Sequence, residues 1–109
     1  MTGEPPTGDR VEVTNLDDLD GAPHAAVFHH DDPRTVRLVL DAGESVPEHC
    51  HPDASVVLCV LDGRLEVTLD GEVYDLDAGD VLRFDGEMAV SPRALTASRA
   101  LVVLAPTAD

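Results

Sequence analysis

Residues 43–63 read GESVPEHCHPDASVVLCVLDG, and this stretch decides how the rest of the chain is read. His49 and His51 flank Cys50, Pro52 follows, and an apolar run then ends at Asp62-Gly63. A short apolar run between turn residues predicts a strand over 55–63 that is apolar on both faces. On a strand, side chains two apart share a face. If position 56 faces inward, Leu58 and Val60 do too, while Val57, Cys59 and Leu61 face the other way. An apolar outer face needs cover, so a homodimer or an overlying N-terminal strand is expected. His49 and His51 resemble the opening of a metal site, with Cys50 pointing away from both. A divalent transition metal, such as Zn, Fe, Mn or Ni, wants three or four N or O ligands. The question is whether the rest of such a site is present.

Working outward, the chain keeps the same rhythm. RLEVTLDG (64–71) alternates, with Leu65, Val67 and Leu69 on one face. Asp70-Gly71 is a hairpin signal, and EVYDLDAGD (72–80) returns as its partner. Further strands are expected within TVRLVLDAG (35–43), DVLRF (80–84) and RALVVLA (99–105). HAAVFHHDDP (24–33) has an apolar centre and ends in a turn, and VEVTNLDDL (11–19) reads as a short strand followed by a turn or one helical turn. Residues 1–10, with Pro5-Pro6, Gly3 and Gly8, read as a flexible tail, leaving 11–109 as the folded unit. No ten-residue segment carries a convincing helical period. The fold class is all-β, a sandwich or small barrel built mainly from Val, Leu and Ala.

The 109 residues suit one domain, and 43% apolar content suffices for one core. There are 22 acidic residues against 7 basic ones, a formal net charge of −15, and every basic residue is arginine. Such a surface repels nucleic acid and anionic membranes, so neither is expected as a partner. Excess Asp without Lys fits an extreme halophile, whose salt screens self-repulsion. A high-GC genome would give the same arginine bias. No apolar run is long enough to span a bilayer, and MTGEPPTGDR has no signal-peptide character. Two cysteines, Cys50 and Cys59, make no disulfide framework, so the expected location is the cytoplasm with both thiols reduced.

From about Thr35 to Ala105 the sequence resembles the small single-domain cupins, which implies a jelly-roll β-barrel (a double-stranded β-helix). The first motif of that family is Gly, five residues, His-x-His, three or four residues, Glu, six residues, Gly. Here Gly43, His49-Cys50-His51, position 56 and Gly63 keep the spacing, but position 56 is Val. LDGEVYDLDAGDVLRF is similar to the hairpin leading into the second motif, whose closing histidine falls on Val90, or on Ala89 with a shorter turn. No histidine follows His51. The resemblance implies a four-ligand metal site inside the barrel, of which this chain keeps two: His49 and His51.

Val56, Leu58 and Val90 would make the barrel floor dry, favouring an apolar or flat small molecule held by a few polar groups. The leading expectation is a non-enzymatic or sensory barrel of that kind. The alternatives are a metal-dependent dioxygenase or isomerase with an atypical third ligand, and a barrel acting through its dimer or a protein partner. Asp53 and Glu87 are the nearest candidates for a further ligand; His24, His29 and His30 are more remote. Arg83 and Arg93 could meet an anionic ligand at the mouth, or pair with carboxylates. Cys59 reads as a small buried hydrophobe.

Overall fold

The computed structural model describes residues 10–107, so all but the last residue of the expected 1–10 tail lies outside the described residues. Eight strands follow one another: β1 (His24–Ala26), β2 (Arg34–Leu40), β3 (Ala54–Asp62), β4 (Arg64–Leu69), β5 (Glu72–Asp77), β6 (Val81–Asp85), β7 (Val90–Ala94) and β8 (Ser98–Pro106). They form a five-stranded sheet in the order β1-β2-β8-β3-β6 and a three-stranded sheet in the order β5-β4-β7. Every pairing is antiparallel. The two sheets face each other as a jelly-roll barrel, the all-β cupin architecture expected from the sequence.

Alternation explains the core. Val56, Leu58 and Val60 of β3 are buried, whereas Val57, Cys59 and Leu61 are half-buried on the outer face. Leu65, Val67 and Leu69 of β4 point inward from the opposite sheet. Burying one such Leu or Val side chain contributes about 1.5–3 kcal/mol, so these two strands anchor the fold. Asp70 and Gly71 both take positive φ, 48° and 88°, as a two-residue type I′ turn requires, and Leu69 sits opposite Glu72.

The chain before β1 differs from expectation. Residues 11–15 form no strand; a 3-10 turn over Leu16–Asp18 follows, with the Asn15 side chain accepting from the Asp17 N–H at 2.8 Å. Val11 and Val13 are exposed, so their β propensity finds no packed surface to act on. The segment lies instead over the outer face of β2. Arg37, buried there, donates to the carbonyls of Leu16 at 2.7 Å and Gly21 at 2.9 Å. Arg99 of β8 pairs with Asp17 at 2.9 Å. Part of the outer face is thus covered by the N-terminal segment as a loop rather than as a strand.

Candidate ligand cavity

The His-x-His segment is placed by the smaller sheet. Residues 43–49 run antiparallel beside β7: the Val46 N–H donates to the Pro92 carbonyl at 2.9 Å, and His49 and Val90 exchange backbone bonds at 3.0 and 2.8 Å. The chain then crosses to the larger sheet. The His51 N–H donates to Gly86 O at 2.7 Å, and the Gly86 N–H donates to Ala54 O at 2.8 Å. Gly86 is buried so tightly that a Cβ there would collide with the carbonyls of His51 and Ala54. This double tie holds both imidazoles at one end of the barrel.

They open onto a cavity of about 510 Å³ between the sheets. Its floor is apolar: Val36, Leu38, Val56, Leu58, Phe84 and Leu104. Val56 is only 1% exposed and Val90 only 4%, so the two positions where the cupin motifs would place Glu and His present methyl groups. The mouth is polar, lined by His24, Arg34, Glu48, His49 and His51. The His49 and His51 rings meet edge-on with centroids 4.7 Å apart. The His49 Nδ1 donates to the Pro47 carbonyl at 2.8 Å, which fixes its tautomer and leaves Nε2 available. The pKa of His51 is lowered, first by burial and then by the neighbouring His49, Arg34 and His24; that of His24 is lowered by burial, His49 and Arg34.

Sequence reasoning named His49, His51, Val56, Leu58 and Val90, and all five line this cavity. The two proposed extra ligands do not. Asp53 is an exposed turn residue at φ 66°, and Glu87 is exposed with its backbone N–H donating to Asp85. Both are turn formers, which explains why they point away from the barrel. Arg93 pairs with Glu66 at 3.6 Å, and Arg83 donates to Ser55 at 3.2 Å, so neither reaches the mouth. His29 and His30 are held by Glu12 on the outside. Cys50 is exposed and Cys59 half-buried on the outer face, rather than in the core.

Of the mouth residues that the sequence reading missed or set aside, Glu48 lies just before His49, and Arg34 and His24 come from β2 and β1. Both follow from parity: Arg34 alternates with Val36 and Leu38, and His24 lies opposite Leu38. Among the described residues no group of three His, Cys, Asp or Glu side chains gathers to hold a metal ion. Two imidazoles, His49 and His51, stand together, and Val56 and Val90 line the cavity at the positions that the resemblance gives to the other two ligands.

Residues 36–105 match the cupin-domain family model, Cupin_2. The chain belongs to the cupin domain family. Its similarity to Quercetin 2,3-dioxygenase of Bacillus subtilis (strain 168) is 53% identity over 38 residues. That match takes in 35% of this cupin chain and 11% of the enzyme, so the cupin spans about a tenth of that relative's length. Among solved structures it resembles KdgF from Halomonas sp., with TM-score 0.77 and 22% identity over 92% of this chain and 97% of that one. An RmlC-like cupin from Shewanella frigidimarina superposes with TM-score 0.75 and 18% identity, covering 92% and 95% of the two chains. These structural likenesses bear on the fold. Among the described residues no helix is long and apolar enough to cross a membrane.

Proposed function

We propose that this cupin holds a small apolar or flat molecule in its barrel and acts as a non-enzymatic, sensory or carrier module. One observation carries the reading: Val56 and Val90 line the apolar part of a cavity of about 510 Å³. A cavity of this size falls within the range of small-molecule sites, about 300–1,000 Å³, and an apolar floor with a few convergent polar groups is their usual make-up. Val102 lines the cavity and is half-buried. Val102→Phe should fill it and abolish binding of a neutral aromatic probe such as naphthalene-2-carboxamide, with the fold retained by circular dichroism. Undiminished probe binding in that variant would place the probe elsewhere and overturn the reading.

The second reading is a metal-dependent dioxygenase or isomerase. It is supported by His24, which brings a third imidazole to the mouth beside His49 and His51. As the side chains stand, it requires His24 to move closer. Elemental analysis of untagged protein separates the two. Stoichiometric Fe, Mn, Ni or Zn, lost in His51→Ala, would replace the first reading with the second.

The working form is a homodimer in a reducing, salt-rich cytoplasm. The dimer is supported by the outer apolar side chains of β3, β6 and β8: Val57, Leu61, Leu101 and Val103 are half-buried, and Val81 is 63% exposed. Sedimentation velocity should show a dimer that Val81→Asp weakens. A monomer at all concentrations would exclude it.

A further inference from the structure

The cavity has an amphipathic design, and its mouth contains a cation, Arg34, that pairs with no carboxylate among the described residues. Carboxylates outnumber arginines 22 to 7. Three of the other arginines are taken up by carboxylates: Arg64 pairs with Asp77 at 3.0 Å, Arg93 with Glu66 at 3.6 Å, and Arg99 with Asp62 at 3.0 Å and Asp17 at 2.9 Å. Arg37 is spent on backbone carbonyls. Arg34 has no carboxylate and no hydrogen-bond partner among the described residues, yet it lines the cavity, opposite Leu104 in register.

We infer that the ligand is an amphipathic anion, a carboxylate with an apolar or aromatic body, whose head pairs with the Arg34 guanidinium at the mouth. The planar guanidinium offers a two-point match to a carboxylate. His24, His49 and His51 ring the same opening and can add hydrogen bonds to the head. The body then lies on Val56, Leu58 and Phe84. The overall charge of −15 disfavours anions at long range, so an anion preference must come from a local group. Glu48 also lines the mouth, and among the described lining residues it is the carboxylate that would answer a cationic head instead.

This inference rests on the ligand-binding reading above, and the test separates the two. Three probes share one naphthalene body: naphthalene-2-carboxylate, naphthalene-2-carboxamide and 2-naphthylmethylammonium. Each is titrated calorimetrically at fixed salt into the full chain, Arg34→Gln, and the outer-face control Arg83→Gln. The wild type should bind the carboxylate about ten- to a hundredfold more tightly than the amide. Arg34→Gln should erase that ratio by weakening the carboxylate far more than the amide, and Arg83→Gln should keep it. Equal carboxylate and amide affinities in the wild type, a preference that survives Arg34→Gln, or tightest binding of the ammonium would overturn the anion inference and leave the cavity reading standing. If none of the three binds, the cavity reading itself fails and the inference falls with it.

Discussion

Glu12 shows how much a single side chain can organise. Its carboxylate accepts the backbone N–H of His29 at 2.9 Å and of His30 at 3.1 Å, and both imidazole Nδ1 atoms also reach it. The His29 backbone bond, with those to His30 and the His29 ring, outweighs the cost of partial burial and lowers the Glu12 pKa to about 2. A depressed carboxylate pKa stabilises the fold above the unfolded value, and that contribution is lost as pH falls through the folded one. The wild type should therefore be more stable than Glu12→Gln at pH 6, and the gap should close as pH falls from about 4.5 toward 2. Chemical denaturation of both proteins across that range measures it; a gap independent of pH would contradict the assignment. No pattern in VEVTN marks Glu12 for this role, because the pairing joins residues 17 and 18 positions apart. Arg34 on β2 was not singled out either, because Thr35, Val36, Arg37 and Leu38 are all buried and its inward side shows only beside Val36 and Leu38 in the folded strand.

At the scale of elements, the spacing of the His-x-His segment told more about the barrel than about a metal. Gly43, His49, His51 and Gly63 keep their intervals because the segment must run along β7, turn at Pro52-Asp53, and enter β3 in register. Asp70-Gly71 and the alternation of β4 were equally readable, since turn chemistry and burial period are local. β7 was not: VSPRA is short, half polar and interrupted by Pro92, which lacks a donor. It is a strand because β4 on one side and residues 43–49 on the other both pair with it, and neither neighbour is visible locally. Gly86 couples these elements. Gly86→Ala should push the His51 turn off the strand end, costing about 1–3 kcal/mol as an overpacked site does. It should also shift the His51 ring resonances in NMR spectra. Wild-type stability with unmoved His51 signals would show that the contact is softer than its geometry.

For the whole molecule, charge and cavity set the behaviour. A surface with 22 carboxylates repels itself in dilute buffer and is screened when the Debye length falls to about 3 Å near 1 M salt. Thermal melts should therefore rise from dilute buffer to molar KCl, and a fall would argue for codon bias rather than salt adaptation. The sequence made this acidity plain but could not show that the interior remains open, because cavity volume depends on how far apart the two sheets stand. That openness is the central claim, and methyl NMR tests it directly. On titration with naphthalene-2-carboxamide, the inward methyls of Val56, Leu58 and Leu104 should shift saturably while outward Val57 and Leu101 stay still. Unmoved inward methyls, or shifts confined to the outer face, would contradict the account.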